Sequence, residues 1–95
     1  MEAERPLSLD DAVEINPTHH FRWEVPQRAH VLLYPEGIVK LNETAAAIIE
    51  TATGAASVGA AIASLAARYE RSDLEPKIIA FLEDARAKGW IRVKS

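Results

Sequence analysis

Hydrophobic and polar positions alternate with a period of two near residue 20 and change to helical spacing after residue 42. Between residues 20 and 25 the apolar side chains of Phe21, Trp23 and Val25 are separated by polar ones. This alternation is typical of a half-buried strand, and it predicts Trp23 in the core. The next apolar run, residues 31–34, does not alternate. Either both faces of that second strand are covered, or one face is an exposed apolar patch.

A turn and a returning strand are predicted directly after that run. Residues 35–37, with the sequence Pro-Glu-Gly, predict a three-residue hairpin loop in which Gly37 adopts a left-handed conformation. Residues 38–41 then form a short strand, and we expect its outer edge to be open. The alternative is that the N-terminal segment or a second copy of the chain covers this edge.

Helical spacing predicts three helices after residue 42. Asn42 and Ser57 are expected to be the N-caps of the first two, and Gly54 ends the first. The third is expected to begin at a capping box over residues 72–75, with Pro76 in its first turn. The positions predicted to face the core are Ala45, Ile48, Ile49 and Ala52 in the first helix, Val58, Ile62, Leu65 and Tyr69 in the second, and Leu74, Ile78, Phe81, Leu82 and Ala85 in the third.

The two ends of the chain add short elements to this pattern. Gly89 is expected to end the third helix in a left-handed cap, and residues 91–93 to form a last strand. Residues 12–16 are expected to pair briefly as an edge strand. We predict a flexible N-terminal tail over residues 1–16 and a domain over residues 17–95. The predicted fold class is α+β, a small antiparallel β-sheet of about three strands followed by three helices, in a winged-helix-like arrangement.

Composition narrows the possible functions. A chain of 95 residues forms one domain, and the net charge of −3 argues against general nucleic-acid binding. The absence of cysteine fits a reducing cytosol, and no apolar run approaches the length of a membrane span, so we expect a cytoplasmic protein. Because much of the apolar content is alanine, the core should depend on a few large side chains. These are Phe21, Trp23, Leu33, Tyr34, Ile48, Leu65, Tyr69, Phe81, Leu82 and Trp90.

The usual signs of catalytic chemistry are missing from the sequence. His19 and His20 are neighbours on a predicted strand and point to opposite faces, so they cannot bind one metal ion together. Glu83 and Asp84 diverge on a helix, so they do not form an acid/base pair. We therefore predict a protein that is not an enzyme and has no metal or cofactor.

Several segments together carry a resemblance to a known family. They are Phe21-Arg22-Trp23 in the first strand, Leu32-Leu33-Tyr34-Pro35-Glu36-Gly37 at the turn, Val39-Lys40-Leu41-Asn42 before the first helix, and Phe81-Leu82, Ala85-Arg86 and Lys88-Gly89-Trp90-Ile91 near the end. With these segments the chain, from about residue 21 to residue 91, resembles the PqqD family of pyrroloquinoline quinone (PQQ) biosynthesis.

The resemblance implies a RiPP recognition element, which is a peptide chaperone. Members bind the precursor peptide PqqA and present it to the radical SAM enzyme PqqE, which joins a glutamate to a tyrosine within the peptide. The peptide is expected to add as a strand beside the third strand and to lie against the third helix. The peptide-binding residues that follow are Ile38, Val39, Lys40, Leu41, Lys77, Phe81, Asp84, Arg86 and Lys88.

Two other functions and one assembly stay open at this point. A winged-helix DNA-binding regulator fits the topology, although the mixed charges of the third helix weigh against it. A recognition element of another peptide-modifying pathway fits the same residues. A homodimer, for example by domain swapping through the loop at residues 26–29, would offer a different partner for the open strand edge.

Overall fold

The structure is a computed structural model, and it describes residues 5–94. The elements in chain order are β1 (Val13–Ile15), β2 (His20–Glu24), β3 (Ala29–Tyr34), β4 (Gly37–Lys40), α1 (Glu43–Gly54), α2 (Val58–Tyr69), α3 (Glu75–Ala87) and β5 (Ile91–Val93). Strands β2, β3 and β4 form one antiparallel sheet in that order, and β1 pairs with β5 in a second sheet. The predicted α+β class is confirmed.

Local capping explains where the helices begin and end. The Asn42 side chain accepts a hydrogen bond from the amide of Ala45 at 2.7 Å, and Ser57 accepts one from Ala60 at 3.1 Å. Each cap satisfies a helix donor that would otherwise lack a partner, which contributes about 1 kcal/mol. At the end of α3, Gly89 has a φ of 81°. The three predicted caps at Asn42, Ser57 and Gly89 are confirmed.

Two local predictions are wrong. Gly37 pairs with Tyr34 as the first residue of β4, so the hairpin loop has two residues and requires no left-handed glycine. Helix α3 begins at Glu75, after an N-cap residue, Leu74, that is already helical and makes no side-chain cap bond. The predicted capping box does not form, because the N-cap residue, Leu74, has an apolar side chain that cannot accept a hydrogen bond. Pro76 fits the first turn of the helix, where no backbone donor is required.

The core consists of two clusters of buried side chains. The larger one joins α1, α2, α3, β1 and β5, and the smaller one, which we call the sheet cluster, consists of Leu32, Leu41, Ala46 and Ile49. Trp23 and Tyr69 do not belong to either cluster, and 53% and 42% of their surfaces are exposed. Their predicted burial is wrong: β2 is an outer strand, Trp23 is near its end, and Tyr69 is the last residue of α2.

The N-terminal segment is part of the fold from residue 5 onward. Leu7 and Val13 are buried, and the amide of Leu7 donates to the Glu83 carboxylate at 2.8 Å. This packing differs from the predicted flexible tail over residues 1–16, of which residues 1–4 lie outside the described part. The predicted edge strand over residues 12–16 is present as β1, and its partner is β5. The alternation of apolar and polar residues does not identify that partner, because the two strands lie at opposite ends of the chain.

Candidate peptide-binding surface

Strand β4 has an open outer edge, since it is the last strand of its sheet within residues 5–94. The amide of Leu41 donates to the carbonyl of His30 at 2.9 Å, and Leu32 lies opposite Val39. In an antiparallel ladder, residues alternate between bonding inward and pointing outward. The N–H and C=O groups of Ile38 and Lys40 therefore point away from β3. In the N-terminal segment, residues 13–15 pair with β5, and no residue between 5 and 16 pairs with β4, so the predicted alternative that this segment covers the edge is wrong for the described residues.

A stripe on α3 lies along the border of its buried face. Lys77, Phe81, Asp84 and Lys88 are spaced by four, three and four residues, which places them on one side of the helix. Lys88 forms an ion pair with Asp84 at 2.8 Å. Its ammonium group also lies 5.0 Å from the centre of the Trp90 ring. These two contacts hold the positive charge of Lys88 at the end of the stripe.

One residue of β4 and one residue of the α3 stripe pack against the same apolar floor. Val39 and Phe81 are both half-buried, and both pack against the sheet cluster defined above. Trp90 contacts the same cluster. We name the combination of the β4 edge (Ile38 and Lys40), the α3 stripe and this floor the β4–α3 surface. An extended chain placed along it would find backbone partners on one side and an aromatic side chain on the other.

Arg86 lies on a different side of α3 from the other residues predicted with it. Its guanidinium donates to the Glu83 carboxylate and to the carbonyl of Arg5, each at 2.7 Å. Arg86 follows Asp84 by two residues, which is about 200° around a helix. Of the predicted residues, Leu41, Val39 and Phe81 share the sheet cluster, whereas Arg86 points toward the N-terminal segment. Leu41 is buried and contributes to the floor of the surface.

The charges of this surface are mainly positive and accessible. Lys40, Lys77 and Lys88 supply cations, while Asp84 is the carboxylate of the stripe. Lys77 lies 4.0 Å from Asp73. The pKa of that carboxyl is lowered, chiefly because Arg71 donates a hydrogen bond to it, so Asp73 stays ionised. An acidic ligand would gain most near Lys40, because Lys77 and Lys88 each already lie within 4.0 Å of an aspartate.

The structure adds one residue that the sequence reasoning did not assign to this surface. Trp90 was predicted as a core residue after a helix cap. It is instead half-buried, and the Lys88 ammonium group lies over its ring in a cation–π contact. A lysine two residues before a tryptophan was the available signal, although it is a weak one. Within residues 5–94, no group of three metal-binding side chains is assembled, and no helix is long and apolar enough to cross a membrane.

Comparison with known proteins identifies relatives of this chain. Residues 29–91 match the sequence model of the family described as Coenzyme PQQ synthesis protein D (PqqD). A PqqA binding protein of Azotobacter vinelandii is 44% identical over 87 residues, which cover 90% of this chain and 95% of the relative. One of Stutzerimonas stutzeri is 49% identical over 75 residues, which cover 78% of this chain and 82% of the relative.

A solved structure has the same fold. It is the solution NMR structure of the PqqD truncation of Methylobacterium extorquens PqqCD, described as a functional and stand-alone RiPP recognition element. Its TM-score is 0.72 at 23% identity, and the alignment covers 90% of this chain and 94% of that one. The names of the relatives describe a binding protein, in agreement with the prediction of a protein that is not an enzyme. The family match and the identity and coverage of these relatives show that the chain belongs to the PqqD family.

Proposed function

We propose that this chain is a peptide chaperone of PQQ biosynthesis that binds the precursor peptide PqqA along the β4–α3 surface. The observation that carries the proposal is the open edge of β4, where Ile38 and Lys40 each direct one N–H and one C=O group away from the sheet. The relatives named PqqA binding protein support PqqA as the ligand. Of the functions left open by the sequence, these names favour peptide binding.

Strand addition explains how one small surface can hold a flexible peptide. An extended segment that pairs with β4 receives backbone hydrogen bonds regardless of its sequence. Successive side chains of a strand point to opposite faces, so every second peptide side chain lies on the face that carries Val39. That face leads to Phe81 and the sheet cluster, which favours apolar side chains there. Lys40 at the strand edge favours a nearby carboxylate of the peptide, and Lys77 and Lys88 add a weaker attraction because each lies within 4.0 Å of an aspartate.

Presentation to an enzyme is the second half of the proposal. The bound peptide is offered to the radical SAM enzyme PqqE in the cytoplasm, while this chain holds the peptide and performs no chemistry itself. The residues that hold the peptide all lie within the domain proposed for residues 17–95. A homodimer through the β4 edge is the competing arrangement, because a second copy would satisfy the same outward backbone groups.

An NMR titration tests the peptide site directly. Unlabelled PqqA is added to the ¹⁵N-labelled chain, and the amide signals are followed to saturation. We expect the largest shifts at Ile38 and Lys40 and along residues 77–88. The amide of Gly59, which donates to the Leu9 carbonyl at 2.8 Å near the start of α2, serves as an internal reference that should not move. Saturable binding without shifts in β4 would refute strand addition, and no binding at all would refute the proposed function.

A further inference from the structure

An open pocket of about 520 Å³ lies at the end of the three-stranded sheet, away from α3. It is bounded by the end of the β2–β3 hairpin, residues 43–50 of α1 and the C-terminal end of α2. Its lining includes Trp23, Arg28, His30, Lys40, Glu50 and Arg68. The pocket shares Lys40, Leu41 and Ala46 with the β4–α3 surface, and the rest of its lining belongs to other elements. It is therefore a second surface of the molecule.

Large exposed side chains lie in the lining of this pocket or close to a lining residue in the chain. Trp23 is 53% exposed, Val25 is 74% exposed, and Tyr69 is 42% exposed. The Arg68 guanidinium lies 5.6 Å from the centre of the Tyr69 ring, which joins Tyr69 to the pocket rim. Tryptophan, tyrosine and arginine are the residues that most often dominate the binding energy of protein interfaces. We call Trp23, Val25, Arg28, Arg68 and Tyr69 the Trp23 surface.

Aromatic contacts hold the central side chain of this surface in place. The Trp23 ring meets the His30 ring edge-on at a centroid distance of 5.2 Å. His30 in turn stacks on Phe21 at 5.1 Å, and Phe21 packs against the sheet cluster. An exposed tryptophan that is already fixed loses little conformational entropy when a partner covers it. This arrangement is favourable for an interface anchor.

The hairpin turn presents a positive charge at the mouth of the pocket. Arg28 has a φ of 51°, a left-handed conformation that is uncommon for a residue with a side chain. Three cations line the pocket (Arg28, Lys40 and Arg68) against the two carboxylates of Glu43 and Glu50. This local surplus is positive although the whole chain has a net charge of −3. A partner with a surplus of carboxylates would be complementary to it.

We infer that the Trp23 surface is the docking site for the enzyme that receives the peptide. This rests on the proposed function, in which that enzyme is PqqE. The partner is expected to insert a convex element that has an apolar tip and a surplus of carboxylates. Because the peptide occupies the outer edge of β4 and the stripe of α3, both partners bind at the same time. The shared border at Lys40 and Leu41 places the peptide next to the docked enzyme.

The test compares PqqE binding with PqqA binding in the same variants. Trp23→Ala removes the anchor, and Arg28→Gly removes the guanidinium while glycine keeps the left-handed turn without strain. We expect each variant to weaken PqqE binding by about tenfold or more in calorimetry. PqqA affinity should stay within about twofold of the unsubstituted chain. Arg22→Ala is the control, since Arg22 neighbours Trp23 but lies on the opposite sheet face and pairs with Glu24 at 2.6 Å.

The outcomes separate this inference from the proposed function. Unchanged PqqE affinity in both variants, with PqqA binding intact, overturns the docking site and leaves the peptide site standing. Loss of PqqA affinity in Trp23→Ala means that the peptide itself occupies the pocket, which also overturns the inference. A change from dimer to monomer in sedimentation, without a change in PqqE affinity, assigns the surface to a second copy. Failure of the unsubstituted chain to bind PqqA refutes the proposed function.

Discussion

Replacing Ile38 with proline tests the peptide site at a single backbone donor. The Ile38 N–H points away from β3, so proline removes no hydrogen bond of the hairpin itself. Proline is tolerated on an edge strand when the missing donor faces solvent. The preceding residue is Gly37, which accommodates the restriction that proline imposes on its neighbour. The variant should therefore fold, with a free energy of unfolding within about 1 kcal/mol of the unsubstituted chain.

The effect on peptide binding follows from the one donor that is lost. The peptide carbonyl opposite Ile38 would face the proline ring without a partner, which costs about 1–3 kcal/mol. The dissociation constant for PqqA should therefore rise by about 5- to 150-fold. The measurement is isothermal titration calorimetry with the PqqA peptide, accompanied by circular dichroism to confirm the fold.

The matched control is Ile38→Ala, which shortens the same side chain and keeps the N–H group. Since Ile38 is 51% exposed, its side chain contributes little to the core, and the alanine variant should bind within about threefold of the unsubstituted chain. If both variants bind equally well, the outer edge of β4 does not pair with the peptide. If PqqA affinity falls equally in both variants, the peptide recognises the isoleucine side chain and does not depend on the Ile38 N–H group.

Three further predictions concern charge, packing and pH. Lys88→Glu should weaken PqqA binding by about tenfold and reduce the salt dependence of that binding in calorimetry, whereas Lys94→Glu, beyond β5, should change neither. Leu82→Ala should lower the free energy of unfolding by about 2–5 kcal/mol in urea, because Leu82 is fully buried; a loss below about 1 kcal/mol would contradict that packing. The pKa of Asp11 is lowered from 3.8 to about 2, first by the hydrogen bond from Arg5. Because this folded-state pKa is depressed, the stabilisation is present above about pH 4 and is lost as the pH falls toward 2. The stability difference from Asp11→Asn should shrink over that interval in acid titrations, and a constant difference would show that the Arg5 contact does not act in solution.

The sequence by itself determined the local elements of this protein. Helical spacing and the caps at Asn42, Ser57 and Gly89 are local properties, since each cap bonds to residues at most a few positions away. The apolar runs on either side of residue 36 likewise predicted β3 and β4. The same residues, through their resemblance to the PqqD family, predicted the family that the comparisons confirmed.

Only the tertiary structure decided which surfaces these elements expose. The pairing of β1 with β5, the exposure of Trp23 and the separation of Arg86 from the α3 stripe depend on contacts between residues far apart in the chain. The outward direction of the Ile38 and Lys40 backbone groups depends on which pairs of the hairpin are hydrogen-bonded. Side-chain periodicity reports which face of a strand is buried, whereas the free edge of a sheet is a property of its backbone, which every residue type shares.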